Sequence, residues 1–411
     1  MLEFSERIVS DEFAQTARHP DFPNAFTRSR KLPLPMLIGA LLSMRNHSQQ
    51  ALLDSFFASV HGCSSLTRVS SDRAFAKARD RLHLPCLSGL NDLIIQRADA
   101  AGLVPRWCGL RLVAADASLL MPSTRPCLLR RSAAQRDQRL FALYLPGAEL
   151  TLHASVHSNL VAERHMLVEA LDVLGPDDVL VLDRGYPAAW LIALLNARSI
   201  RFVVRCDNSS GWTATKKFLR SGAPQAWVEL SAPSADEVAD WQCPAGPPCV
   251  RLVRQSAPNG QVRVLATNLD AAAFPAALFG DLYHQRWRIE EAFKRLKHRL
   301  KLEAVSGLSQ QALIIDVAAK VLADNITSLM CLAASVQAEH AARSRKCNRS
   351  YAAALMQRLL PRLVLLLDNV AAAITDAIAM IGSNYQRFLP GRSRPRPARH
   401  VKPHPSATYK A

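Results

Sequence analysis

The 411-residue sequence predicts a mixed α/β fold, an α/β core set between helical N- and C-terminal regions. Three observations carry this. Short apolar runs at 111–120 and 179–183 each reach an aspartate, and a helical segment separates the second from another apolar run at 201–205, the alternation of a sheet buried on both faces. Between 206 and 270, short strand-like runs replace that alternation. Outside these regions, apolar residues recur at helical spacing.

Residues 1–105 read as a helical N-terminal region suited to DNA binding. LPLPMLIGALLSM (32–44) and QQALLDSFFASV (49–60) have helical apolar spacing, and Ser70 or Ser71 can cap a basic helix, DRAFAKARDRL at 72–82. Its cations Arg73, Lys77, Arg79 and Arg81 either face DNA or form a solvated surface. In the central region, 106–310, RLVAADASLL (111–120), FALYL (141–145) and LTLHASVHS (150–158) read as strands, with an arginine-rich loop at 129–139. A helix at about 162–173, strand VLVLD (179–183), helix PAAWLIALLNA (187–197) and strand RFVVR (201–205) follow. Within 206–270, read as a β-rich insertion, WVEL (227–230), CVRLVRQ (249–255) and QVRVLATN (261–268) are strands, the last two joined by a turn at Pro258-Asn259-Gly260. A charged helix is expected over 281–300. Residues 311–386 stay helical, with RSRKCNRS (343–350) as a basic linker, and the basic, Pro-rich tail 387–411 has the composition of a disordered segment.

Lys and Arg number 51 against 34 Asp and Glu, a formal net charge of +17, which calls for a polyanionic partner: nucleic acid or an anionic membrane surface. The membrane is disfavoured. The most apolar run, 363–381, is interrupted by Asp368 and Asp376, each costing ~2.5–3.5 kcal/mol at a bilayer centre; it reads as a buried core helix. MLEFSERIVSDEF at the start has early acids and no apolar signal core. Nine scattered cysteines suit reduced cytoplasmic thiols, and CPAGPPC at 243–249 has no second pair at zinc spacing.

The chemistry lies in separated carboxylates. Asp116 and Asp183 each terminate an apolar run, and the C-terminal ends of central strands are where α/β sheets place their sites. Either residue alone can equally cap the turn that follows. As a pair, joined by a glutamate from a distant helix, they can hold two magnesium ions roughly 4 Å apart for in-line attack on a phosphodiester. Arg184 stands beside the second carboxylate, followed by Gly185 at a tight turn and Tyr186-Pro187 entering a helix. On an ideal helix, Tyr283, Arg286, Glu290 and Lys297 share a stripe about 60° wide, next to an apolar stripe of Ile289, Phe293, Leu296 and Leu300. The same charges also suit an ordinary surface helix with i,i+4 pairs such as Glu290–Lys294.

The series Tyr283, Arg286, Glu290, Lys297, with two, three and six residues between, resembles the Y-(2)-R-(3)-E-(6)-K signature of DDE transposases of the insertion-sequence-four family. VAADAS (113–118), VLVLDRGY (179–186) and VLATNL (264–269) are similar to other segments of that family, and together they span roughly residues 65–310. The resemblance implies a ribonuclease-H-like core with the acidic triad Asp116, Asp183 and Glu290, a β-rich insertion between the last two, and contact of Tyr283, Arg286 and Lys297 with transposon-end DNA. Arg184, next to Asp183, joins these as a DNA contact. It implies two Mg2+ ions, with Mn2+ as a substitute, and cut-and-paste transposition of a bacterial insertion sequence. That reaction comprises hydrolysis at the ends and 3′-hydroxyl strand transfer into target DNA. The partners implied are inverted-repeat end DNA and target DNA, with no membrane, and a homodimer in the synaptic complex. The expected location is cytoplasmic, at the nucleoid. Ala117 stands where the family more often has Gly. Trp212, Trp227 and Trp241 are candidates to stack on a flipped base, or are core residues; Trp287 reads as packing. Two rival readings stay open, a stand-alone nuclease on the same fold and a degenerate or domesticated DNA-binding copy.

Overall fold

A computed structural model of the chain describes all residues except 28–30, 44–47, 122–136, 207–210, 257–261, 287, 304–308, 338–344 and 388–411. The expected turn at Pro258-Asn259-Gly260, most of the arginine-rich loop, Trp287 and all of the tail but Arg387 lie outside the described residues. The chain divides into two compact units. One comprises Met1–Leu103, Leu119–Gln138 and Phe293–Ala411, the other Val104–Ser118 and Arg139–Ala292.

The first unit opens with α1 (Leu2–Val9), α2 (Asp11–Thr16), α3 (Leu34–Ser43), α4 (Gln49–Val60), α5 (Asp72–Asp80) and α6 (Leu84–Ala100). Ser71 caps α5 as its sequence predicts, its hydroxyl accepting from the Ala74 N–H. Only part of the expected basic face of α5 looks outward. Arg79 turns inward beside Phe75, buried, with its guanidinium 3.3 Å from Asp316, so it is a structural cation and not a DNA contact.

The second unit is a sheet with flanking helices: β1 (Arg106–Trp107), β2 (Leu110–Leu120), β3 (Gln138–Leu145), β4 (Leu150–Ser158), α7 (Glu163–Glu169), β5 (Asp178–Leu182), α8 (Ala189–Ala197), β6 (Arg201–Arg205), α9 (Thr213–Ser221), β7 (Gln225–Glu229), α10 (Ala235–Trp241), β8 (Cys249–Ser256), β9 (Val262–Thr267), α11 (Phe279–Gln285) and α12 (Arg288–Lys294). The strand order is β4-β3-β2-β5-β6-β9-β8-β7, with β1 against β2. The pairs β2–β5 and β5–β6 are parallel. Strands β4-β3-β2-β5-β6 lie side by side as the α/β core that the sequence predicts. The insertion differs from its β-rich expectation: it contributes α9 and α10 as well, and its strands continue the same sheet antiparallel from β6.

Two features fix the register that matters. Arg111 and Asp178 are Cα partners on β2 and β5, and the guanidinium meets the carboxylate through two bonds, Nε–Oδ1 at 2.5 Å and Nη2–Oδ2 at 2.8 Å. Asp178 is almost fully buried, so any slip would strand a charge without its partner. Alternation then sets the face. Leu110 and Leu112 on β2, Val179 and Val181 on β5, and Val203 on β6 form one apolar cluster with Phe279, Leu282 and Tyr283 of α11. Fully burying a Leu or Phe there contributes roughly 1.5–3 kcal/mol, which seats α11 on this face. Counting on by twos, Asp116 and Asp183 point to that same side.

The chain returns to the helical unit through a π-helical turn at Arg295–Arg299, followed by α13 (Gln310–Gln337), β10 (Arg345–Cys347), α14 (Arg349–Val364), α15 (Val370–Ser383) and β11 (Tyr385–Arg387). Among the described residues α13 is the one helix long and apolar enough to cross a membrane, and most of it is buried inside this unit. Its buried polar groups are matched: Asp316 to Arg79, Lys320 to the Lys301 carbonyl at 2.9 Å, Asn325 to Asn91 at 2.6 Å.

Several expectations change. The apolar run 363–381 is not one helix: Asp368 takes two 2.6 Å bonds from Arg362, and Asn369 caps α15 by accepting from Ala372 N–H, so a turn interrupts it. The basic linker 343–350 contains β10, paired with β11, and the start of α14. Helix 187–197 begins at Ala189, leaving Pro187 outside its first turn. The charged helix 281–300 is broken into α11, α12 and the π-turn, with the Arg286 N–H bonded to the Tyr283 carbonyl and the Ile289 N–H to the Arg286 carbonyl.

Candidate catalytic site

Asp116 lies within β2, which runs on to Leu120 because β3 pairs along its other side; it does not end the strand as the sequence suggests. Pairing with β5 stops at Ala114–Val181, so Asp116 stands where the two strands part. Ala117 needs no glycine, since it continues an extended strand and its N–H donates to Asp116 Oδ1 at 2.9 Å. Asp183 is the first residue past β5, at the matching level. Its Oδ1 accepts from the Gly185 N–H at 2.7 Å, and a Cβ at Gly185 would lie 3.0 Å from that oxygen. Any larger residue at 185 would press on that oxygen, and the carboxylate would have to give by a few tenths of an ångström.

The third carboxylate arrives through Arg286. Its Nη1 is 3.4 Å from Asp116 Oδ2 and its Nη2 is 3.7 Å from Glu290 Oε1, one turn along on α12. Arg286 is only 5% exposed. Burial alone would disfavour its charge, but Tyr283, Asp116, Asp183 and Glu290 outweigh that and hold it more firmly protonated than usual. Tyr283 is also buried, within the apolar cluster, and hydrogen-bonds to Arg205; burial raises its phenol above the ordinary range.

Negative charge accumulates here. Burial pushes the Asp116 carboxyl up to about 7; Arg286 opposes this, and the charges of Asp183 and Glu163 add to it. Glu163, at the start of α7, is raised too, by burial and then by Asp183. Sequence reasoning missed Glu163, for no motif marks it; only the folding of α7 against the Asp183 loop brings it in. The buried Tyr186 hydroxyl finds no hydrogen-bond partner among the described residues and is raised well above its ordinary value by burial and by Glu163, Asp116 and Asp183.

A divalent ion suits this donor set, which offers only carboxylate oxygens and carries more negative charge than Arg286 balances. As the side chains stand, no three His, Cys, Asp or Glu groups among the described residues are close enough to grip an ion. Between two of the carboxylates stands the guanidinium of Arg286, a cation that bridges Asp116 and Glu290.

The remaining candidates are placed differently. Arg184 is exposed beside Asp183. Lys297 belongs to the helical unit, on the π-turn, where its ammonium donates to the Leu119 carbonyl and stands 3.7 Å from Glu303. The π-turn also removes the ideal-helix angle that set Lys297 on one stripe with Tyr283. Among the tryptophans, Trp241 stacks on Trp190 with centroids 4.2 Å apart and planes at 8°, an element of packing. Trp227 is exposed on β7, at the end of the sheet, and Trp212 precedes α9.

Three comparisons say which known proteins the chain is similar to. The family model described as Transposase DDE domain matches residues 130–326, which holds Asp183 and Glu290 and starts after Asp116. The transposase InsG for insertion sequence element IS4 of Escherichia coli (strain K12) is 22% identical over 308 residues, covering 70% of this chain and 67% of that protein. Among solved structures, the piggyBac transposase synaptic complex with hairpin DNA aligns with a TM-score of 0.42 and 13% identity, over 95% of this chain and 86% of that one.

Proposed function

We propose that this chain, a DDE transposase of the insertion-sequence-four type, cuts DNA with Asp116, Asp183 and Glu290 as its acidic triad. One observation carries the assignment. Two aspartates emerge at the same level from adjacent parallel strands, and one buried arginine ties the first of them to Glu290. A DDE domain works with a divalent metal; here Asp116, Asp183 and Glu290 would hold two Mg2+ ions, with Mn2+ as a substitute. When bound, such ions lower the pKa of water and offset charge on the phosphate.

The chain's own residues do the rest. Arg286 suits bidentate contact with phosphate, and on meeting DNA it would release Asp116 and Glu290 from its fork. Tyr283, packed beside Arg286 and bonded to Arg205, supports that fork from within. Exposed Arg184 meets backbone phosphate next to Asp183, and Lys297 supplies a further point charge once it leaves Glu303. The reaction is cut-and-paste: hydrolysis at the transposon ends, then attack of the freed 3′-hydroxyl on target DNA, by a homodimer in the synaptic complex. It takes place in the bacterial cytoplasm, at the nucleoid. The N-terminal helical region is suited to hold end DNA. Its cleft of about 1140 Å³ is lined by Lys31, Lys77 and Arg81 with Thr27, Ser70 and Ser71, and no acid lines it among the described residues.

The test is cleavage of duplexes carrying the element's terminal inverted repeats. Asp116→Ala, Asp183→Ala and Glu290→Ala should each abolish Mg2+-dependent cutting and leave end binding within about threefold of wild type. Wild-type cutting by any one of them would overturn the triad. Cut ends that never join a target plasmid would favour the stand-alone nuclease, and end binding with no cutting by the wild type would favour the degenerate copy.

A further inference from the structure

The insertion strand β8 does more than extend the sheet. Arg251, on this strand, is among the largest fully buried side chains, 1% exposed. Its guanidinium spreads over the connection from β9 to α11, residues 268–278. Nη1 donates to the carbonyls of Phe274 at 2.7 Å, Asp270 at 3.2 Å and Leu269 at 3.4 Å, and Nε donates to Gln225 Oε1 at 3.0 Å. Its Cζ stands 5.5 Å from the centre of the ring of Phe279, the first residue of α11. Gln255, four residues along the strand and so on the same face, donates from Nε2 to the Ala276 carbonyl at 2.6 Å. Between them, Val253 packs in the apolar cluster with Phe279, Leu282 and Tyr283.

A guanidinium is costly to bury, and the oxygens that face this one are uncharged, so an apolar side chain would fill the space more cheaply. What the guanidinium alone supplies is a rigid fork of five donors, able to fix three carbonyls of an irregular segment at once. We propose that Arg251 is a positioning residue: it fixes the connection 269–274 and Phe279, and through them the place of Arg286 against Asp116. The contacts form an unbroken series within one unit. Arg251 holds Phe274 and Phe279, α11 runs from Phe279 to Gln285, and Arg286 follows directly, its Nη1 3.4 Å from Asp116 Oδ2. The inference rests on the transposase reading, in which Arg286 meets phosphate beside the acidic triad. It gives the insertion between Asp183 and Glu290 a part in the chemistry, exerted from a distance by one buried arginine.

The experiment is single-turnover cutting of terminal-repeat DNA by the full chain in excess, with Mg2+, and with end binding measured separately. Arg251→Met keeps much of the bulk and removes the fork. It should slow cutting of bound DNA by about 10- to 100-fold, the scale on which misplacing a group by about 1 Å acts, and leave end affinity within about threefold. Arg254→Met is the control for lost stability alone. Arg254 lies on the same strand and is held in a similar way, by the carbonyls of Phe218, Leu219 and Ala223 and over the Phe218 ring, at α9 and the turn after it. Arg254→Met should melt lower than wild type and cut bound DNA at the wild-type rate. Equal slowing by both variants would make Arg251 a residue of the scaffold only and overturn the proposal, as would wild-type cutting by Arg251→Met. A double-mutant cycle reads the route: in an Arg286→Lys background, Arg251→Met should slow cutting by less than about threefold, because the two residues act as one unit. Losses that multiply, or wild-type cutting by Arg286→Lys, would overturn it too. Asp116→Ala separates this proposal from the one beneath it. If Asp116→Ala cuts like wild type, the transposase site itself fails; if Asp116→Ala is inactive and Arg251→Met cuts like wild type, the positioning alone fails. Should Arg251→Met not fold, Gln255→Met, which removes a single bond to the same connection, should slow cutting by about threefold, and an unchanged rate there would overturn the proposal.

Discussion

At the residue scale, the site is a balance of charge with a single buried cation at its centre. Asp116 has a folded pKa of about 7 against an ordinary value of 3.8, raised by burial first and by neighbouring carboxylates after it. The sign follows: a raised carboxyl favours the protonated form, so its ionisation costs stability as pH climbs from about 4 through 7, at about 1.4 kcal/mol per pKa unit. In metal-free buffer Asp116→Asn should therefore be more stable than wild type at pH 8, and the gap should close toward pH 4; a constant gap in melting temperature would refute this. Arg286 bears on the same balance from the other side. Arg286→Ala should lower the melting temperature without metal and enlarge the rise that Mg2+ produces, because an added cation then replaces the guanidinium. An unchanged Mg2+ response would show that Arg286 is not the counter-charge of the site.

At the scale of elements, the position of the aspartates depends on β2 and β5 staying in register. Arg111→Met should cost about 3–5 kcal/mol in a denaturant titration by leaving Asp178 buried and unpaired, and adding Asp178→Leu should restore most of that loss. Equal stability of the single and double variants would argue that the pair does not lock the strands. A milder effect belongs to the turn between α14 and α15. The bonds from Arg362 hold Asp368 below the usual carboxylate range, so their stabilisation is present above about pH 3.8 and fades as pH falls further. Asp368→Asn should flatten that acid limb of melting temperature against pH.

Elements also show what the sequence could disclose. The strands β2, β5 and β6, the cap at Ser71 and the Asp183-Gly185 turn were legible because each is decided locally, by apolar runs, a hydroxyl at the helix start, or a glycine beside a carboxylate. The break of 281–300 was not legible. An ideal helix gives each residue a fixed angle, and the π-turn at Arg295–Arg299 changes those angles by hydrogen bonding that side-chain spacing does not encode. Arg79 misled for a related reason: spacing placed it with exposed cations, whereas its buried partner, Asp316, is 237 residues away. Glu163 was invisible for the same cause, since only the approach of α7 to the Asp183 loop adds its charge to the site.

At the scale of the whole molecule, the net charge of +17 and the cationic cleft of the helical unit fit a protein whose affinity for DNA comes largely from phosphate contacts. Log affinity should fall linearly with log salt at about 0.9 per phosphate neutralised, and Lys77→Ala with Arg81→Ala should reduce that slope by roughly 2. The measurement closest to the central claim replaces an oxygen ligand by sulfur. Asp183→Cys should be inactive on terminal-repeat DNA with Mg2+, which demands oxygen ligands, and should regain cutting with Mn2+, which tolerates sulfur. Full activity of Asp183→Cys in Mg2+, or no recovery in Mn2+ by a folded, DNA-bound variant, would contradict a metal site built on Asp183.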